Sequence, residues 1–218
     1  QLVSSPKPRI IGFYGSWAAY RDGDGRCRVE DIDASLCTHY IWCFLAIKNG
    51  EVAFGESGDR ENLRKFVRHI RSNNPEAKIL ASVGGWTYSR DSAFADAAAS
   101  SSSRQRFVDS ANRFMNSYDL DGIDIDWEYP DESNREDFVK LMRILMMSSV
   151  GWGVFDSGTG KTITISVSGS NSRADRAYDV SGLSTNCHYI NLMSYALRGD
   201  YDGRTGHHAP FEGSGQNL

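Results

Sequence analysis

The stretch LDGIDIDWEYP, residues 120–130, alternates with a period of two. Successive side chains of a strand point to opposite faces, so Ile123, Ile125 and Trp127 share one side and Asp124, Asp126 and Glu128 the other. Three carboxylates crowded on one face repel each other, and ordinary surface strands avoid this. Both neighbouring segments carry apolar residues at helical spacing. They are Phe107, Ala111, Phe114, Met115 and Tyr118 within 103–118, and Phe138, Leu141, Met142, Leu145 and Met146 within 135–147. A strand between two such helices belongs to a βαβ pattern with a covered, mostly parallel sheet, whose strand faces are normally both apolar. An acidic face in that setting points into a barrel interior or a cleft. The alternative is a solvated acidic edge strand, but buried acids are rare unless they work.

The rest of the chain repeats the alternation. Strands are expected at 10–14, 38–46, 78–83, 162–168 and 189–195, with the acidic strand between the third and fifth of the series. Helices are expected at 61–72, 92–99, 103–118 and 135–147, with a short helix at 29–36 and a helical turn at 180–183. Asn49-Gly50 is a strong turn signal. Residues 151–160 read as a Gly-rich connection, and 199–218 as a tail without further elements. No repeat or linker is visible. Six strands alternating with helices indicate an α/β chain of the (β/α)8 TIM-barrel type. Such a barrel needs eight strands in roughly 250 residues, so this chain of 218 stops after about six units. Residues 1–218 therefore read as one domain, the N-terminal part of a barrel. Functional groups in barrels sit at strand C-termini. Tyr14, Trp17, Gly84 to Trp86, Asp126 to Tyr129 and Met193 to Tyr195 all fall there.

Bulk properties narrow the field. A hydrophobic content of 40% with 24% charged residues fits a soluble globular protein. A net charge of −4 argues against nucleic acid as a partner. The longest apolar run, 40–47, is too short to span a bilayer, and residues 1–8 are polar and resemble no signal peptide. Cys27, Cys37, Cys43 and Cys187 lack metal-type spacing. Cys27 and Cys37 flank a short segment and can form one disulfide, Cys43 reads as a core residue, and Cys187 fits either state. His207-His208 has no acidic or cysteine company and reads as a solvated loop pair. No metal or cofactor is expected.

Glu128 lies beside Asp126, and a carboxylic acid among like charges resists ionisation, which suits it to donate a proton near neutral pH. Trp17, Phe44, Trp86 and Tyr129 offer flat faces on which sugar rings stack, although core packing alone accounts well for Phe44. Acid and stacking platform together suggest glycoside cleavage. Most glycosidases flank the bond with two carboxylates, which acids on a single strand cannot easily do.

Asp121-x-x-Asp124-x-Asp126-x-Glu128 resembles the D-x-x-D-x-D-x-E signature of family 18 glycoside hydrolases, the animal chitinases and chitinase-like lectins. Ser82-Val83-Gly84-Gly85-Trp86 resembles the family's S-x-G-G segment. Phe13 to Ala18 with Tyr20-Arg21 resembles its first unit, Leu36 to His39 the start of its second strand, and Asn191 to Tyr195 its sixth-strand M-x-Y. The likeness runs from about residue 9 to 211. It implies a secreted protein that hydrolyses β-1,4-linked N-acetylglucosamine polymers by a substrate-assisted retaining mechanism. Glu128 would protonate the glycosidic oxygen while the substrate's acetamido carbonyl attacks the anomeric carbon. Asp126 would stabilise the oxazolinium, Asp124 would share a proton with Asp126, and Tyr195 would bond the acetamido oxygen. Tyr14, Phe44 and Met193 would line the pocket floor, with Trp17 and Trp86 stacking on sugars. Gly84, Gly85 and Tyr129 complete the binding set, and Asp121 is a structural motif residue.

Three departures from the family pattern stand out. Ala196 follows Tyr195 where an Asp is usual. Gly12 stands where many animal members carry a Cys that pairs with the one matching Cys37. The last two barrel units are missing. A second reading is therefore a chitin-binding, chitinase-like protein with little or no catalysis; the intact Glu128 favours the enzyme.

Overall fold

The computed structural model describes residues 8–149, 160–203 and 205–210. Apart from Gly160, the Gly-rich connection lies outside them. Strands form where apolar and β-branched residues run together. They are β1 (Ile11–Gly15), β2 (His39–Lys48), β3 (Glu51–Phe54), β4 (Lys78–Gly84), β5 (Gly122–Asp126), β6 (Thr162–Ser168) and β7 (Tyr189–Met193). Six of them pair in parallel in the order β1-β2-β4-β5-β6-β7. Each strand lies beside the previous parallel one, as in a barrel wall laid down in sequence order.

The helices between strands are α1 (Asp59–Asn73), α2 (Gly85–Tyr88), α3 (Ala93–Ala99), α4 (Ser101–Ser117), α5 (Arg135–Ser149), α6 (Asn171–Ala177) and α7 (Val180–Ser184). On α1 the buried set Leu63, Phe66, Val67 and Ile70 follows i, i+3, i+4, i+7, a single apolar stripe facing the sheet. α4 starts where Ser100 accepts a hydrogen bond from the Ser103 N–H, satisfying one of the helix's free donors. The core lies between these helices and the outer sheet face. Trp127 packs there between Phe94 and Phe138, at 5.3 and 5.4 Å between ring centroids.

The sheet curls. The rings of His39 on β2 and Tyr189 on β7 are 5.8 Å apart, although three strands separate β2 from β7 in the sheet. β5, at the middle of the wall, is buried along its whole length, whereas Phe13 on β1 and Leu192 on β7 are 48% and 53% exposed. β1 and β7 each have one partner strand among the described residues.

Several expectations change; α2, α6 and a 3-10 turn at Asp200–Asp202 are additions to the expected elements. β3 was not foreseen. Asn49 and Gly50 adopt φ 55° and 76°, the positive pair that a two-residue hairpin turn needs, and β3 returns antiparallel to β2. With four residues and only Val52 buried, β3 carries little pattern; the Ser110 hydroxyl on α4 anchors it by accepting from the Val52 N–H at 2.9 Å. The expected helix at 29–36 reduces to a 3-10 turn, Val29–Asp31. There Asp31 accepts from the Arg28 N–H and Asp33 from the Ser35 N–H, local bonds that compete with helix. The acidic strand is shorter than expected and ends at Asp126, so Glu128 lies just beyond it. Finally, all four cysteines are free thiols. Cys27 contacts the Arg28 carbonyl rather than Cys37, and Cys37 faces Gly12, which has no sulfur to offer. Cys43 is buried, as expected.

Candidate active site

Asp124 sits at the centre of the inner face, with no exposed surface, and accepts four hydrogen bonds. Thr164 (2.6 Å) and Asn191 (3.1 Å) donate to Oδ1; Ser82 (2.7 Å) and Ser166 (3.0 Å) donate to Oδ2. The donors come from β4, β6 and β7. Parallel register places Ser82 and Thr164 directly beside Asp124, so inward-facing side chains converge on it. Burial raises the Asp124 pKa and these four donors pull it back. Four donors saturate a carboxylate's lone-pair sites. Burial nevertheless outweighs them and the net shift is upward. Among the described residues no hydrogen bond joins Asp124 to Asp126, so this arrangement lacks the proton-sharing contact expected of the pair.

Asp126 is 4% exposed and its Oδ1 is buried without a partner. Burial first, then the charges of Asp124 and Glu128, push its pKa up to about 8, so it is protonated at neutral pH. Glu128 is half-buried. Burial raises its pKa, while hydrogen bonding from Tyr129 and the Trp86 backbone and the Arg173 charge oppose the rise. The three carboxylates thus form a graded set: one saturated by four donors, one protonated with a spare oxygen, one half-open to solvent.

Two cavities of about 340 Å³ each meet at Met193 and Tyr195. One is lined by Phe13, Trp17, Phe44 and Asp126, the other by Glu128, Tyr129 and Arg173. Trp17 stacks on Phe44 at 5.7 Å and 16°. Glycine is required at 84 and 85: a Cβ at Gly84 would lie 2.1 Å from the Asp126 carbonyl, and one at Gly85 2.6 Å from the Phe44 ring, both at positive φ. Trp86 follows on α2, 60% exposed at the rim. Tyr129 lies under the Arg173 guanidinium, 3.9 Å from ring centroid to Cζ. The Cys43–Phe44 and Glu128–Tyr129 peptide bonds are cis.

Asp121 lies at the other end of β5. It accepts from the Ile79 N–H and pairs with Arg71 at 2.8 Å, fastening the end of α1 to the start of the sheet. Tyr14 belongs elsewhere than expected. It is buried under α1, stacked on Phe66 at 5.5 Å, and its hydroxyl donates to the Cys27 carbonyl. Phe13, one residue earlier, faces the cavity, because a one-residue shift along a strand moves a side chain to the other face. The even spacing of Ile11, Phe13 and Gly15 was the available signal. The donors to Asp124 were likewise not chosen from the sequence, although the alternating Thr164 and Ser166 of β6 pointed inward in the same rhythm. His207 and His208 are exposed in a loop, as expected of a solvated pair, and His208 also stacks near Tyr195 at 6.3 Å and accepts from the Ala196 N–H.

The family model described as Glycosyl hydrolases family 18 matches residues 9–218. The chain belongs to this family. It is 33% identical to an endochitinase of Manduca sexta over 96% of the chain and 39% of that protein. Among solved structures, a Group IV chitinase of Ostrinia furnacalis aligns with a TM-score of 0.84 at 31% identity, covering 93% of this chain and 55% of that one. Human YKL-39, described as a pseudo-chitinase with retained chitooligosaccharide binding, aligns at a TM-score of 0.84 and 28% identity, covering 92% and 55%. The chain spans about half the length of the proteins it matches, or less. Its relatives thus include proteins described as chitinases and one described as a pseudo-chitinase. No described helix is long and apolar enough to cross a membrane.

Proposed function

We propose that this chain forms the acid-bearing part of a chitin-hydrolysing barrel that cleaves β-1,4-linked N-acetylglucosamine polymers by the substrate-assisted retaining route. The graded carboxylates carry the reading. Glu128, half-open and raised in pKa, is placed to protonate the glycosidic oxygen. As that proton leaves, the substrate's acetamido carbonyl oxygen attacks the anomeric carbon and the leaving sugar departs. Asp126, protonated at rest, donates a hydrogen bond to the new Glu128 carboxylate, and its unpartnered Oδ1 accepts from the acetamido N–H. Asp124, held in place by four donors, stabilises the cationic oxazolinium. Tyr195, at the junction of the two cavities, donates to the acetamido oxygen. Trp17, Phe44 and Met193 support the reacting sugar from below, while Trp86 and Tyr129 contact its neighbours.

One observation favours the binding-only reading. Where the family places an acid after the M-x-Y tyrosine, Ala196 sits at φ 52°. Its N–H is tied to His208 and its carbonyl accepts from the Tyr201 hydroxyl. No carboxylate is supplied from that position to grip the sugar. Glu128→Gln separates the two readings. An enzyme loses about 10²–10⁴-fold in chitin-oligomer hydrolysis while keeping its binding. Hydrolysis unchanged in Glu128→Gln would remove the acid assignment, and no hydrolysis by the parent chain alongside retained binding would leave the lectin reading.

A further inference from the structure

Arg173 is the cationic residue among the described residues lining the Glu128 cavity. Its Cζ lies over the Tyr129 ring, 3.9 Å from the centroid, and its Nε is buried without a hydrogen-bond partner. Tyr129 is contiguous with Glu128, and Arg173 lies near enough to that acid for its charge to oppose the rise in its pKa. Nothing in the mechanism above uses this group.

The two cavities divide the substrate. Asp126 lines one and Glu128 the other, with Met193 and Tyr195 between them. If Asp126 holds the acetamido group of the reacting sugar and Glu128 the glycosidic oxygen, the sugar beyond that oxygen falls over the Arg173 side. A guanidinium is a donor only and is always charged. Its partner there must be an acceptor, such as a hydroxyl or an acetamido carbonyl. A deacetylated sugar presents an ammonium instead, which cannot accept a hydrogen bond and is repelled. The carboxyl that would offset this repulsion, Glu128, is neutral in its proton-donating form.

We propose that Arg173 is a specificity residue on the leaving-sugar side, selecting N-acetylated units over deacetylated, cationic ones. The inference rests on the chitin-directed reading and goes beyond it in naming the charge state accepted at one position. Tyr129 pre-orients the guanidinium by stacking, which reduces the entropy lost when it bonds a sugar.

The test measures binding in the Glu128→Gln chain, where turnover is removed and position 128 is neutral. Two tetrasaccharide probes are compared: one fully acetylated, one deacetylated only on its two reducing-end units. The Glu128→Gln chain should prefer the first by about ten-fold or more, the scale of one charge-assisted hydrogen bond. Adding Arg173→Met or Arg173→Gln should bring the two affinities within about two-fold, while Arg173→Lys keeps part of the discrimination because it keeps the charge. Equal discrimination with and without Arg173 overturns this proposal and leaves the chitin reading standing. Failure of the fully acetylated probe to bind at all overturns both. Thermal melting of each variant checks that a loss of selectivity is not a loss of fold.

Discussion

Replacing Gly12 by cysteine should close a disulfide that this chain lacks. A Cβ built on Gly12 lies 2.9 Å from the Cys37 Sγ and 3.8 Å from its Cβ. An S–S bond of about 2.04 Å with near-tetrahedral sulfur angles puts each Cβ about 3 Å from the opposite sulfur, and bridged Cβ atoms lie on average about 3.8 Å apart. Both distances therefore match a bridge without movement of the backbone. The same 2.9 Å is too short for unbonded atoms, so Gly12→Ser crowds Cys37 and gains nothing. Closing the roughly 26-residue loop would remove about 3.5 kcal/mol of chain entropy from the unfolded state, an upper figure for an engineered bridge. At about 2–4 °C per kcal/mol for a domain of this size, the melting temperature should rise by up to about 7–14 °C. The assay is thermal melting of Gly12→Cys with and without reductant, alongside a thiol count under denaturing conditions. The parent has four thiols; the oxidised variant should also titrate fewer than the five its sequence contains. Five reactive thiols, or a melting temperature indifferent to reductant, would refute the placement of Cys37 against β1.

Asp126→Asn should abolish hydrolysis yet stabilise the fold, most at alkaline pH. The folded Asp126 keeps its proton up to a pKa of about 8 while the unfolded one releases it near 3.8, so the parent loses stability as pH rises between these values and Asn does not. The difference in melting temperature should grow from about pH 4 to pH 8 and then level; a pH-independent difference would show that Asp126 is not a raised acid. Ala196→Asp should increase hydrolysis, by about ten-fold if it restores one charge-assisted hydrogen bond to the sugar, and a variant no faster than the parent counts against that position as the deficit. β1 and β7 each offer one unpaired edge among the described residues, so the isolated chain should sediment with concentration-dependent self-association; a monomer at all concentrations would mean that the edges are covered.

Much of this protein is legible in its residues because strands and helices impose different periods. The alternation of Ile and Asp over 122–126 sets which face is acidic in any fold that makes the segment a strand. The stripe of Leu63, Phe66, Val67 and Ile70 sets the buried face of α1 in the same way. The run from Asp121 to Glu128 was specific enough to indicate the family, and the Asn-Gly turn marked the β2–β3 corner without revealing the four residues that return from it.

The sequence by itself determined the order of the main elements and the alternation of three acids along and just past one strand, because both depend on neighbours in the chain. It could not determine what those acids become. Asp124 and Asp126 are the same residue type two positions apart, and their difference comes from Ser82, Thr164, Ser166 and Asn191, which converge on Asp124 across three other strands and leave the Asp126 Oδ1 bare. The exchange of Tyr14 for Phe13 at the cavity, and the free state of Cys37, are settled the same way, by strand register and by what lies opposite. Periodicity is a property of the local chain; acidity, cavity lining and thiol pairing depend on distances between residues tens of positions apart, and those exist only once the sheet has curled.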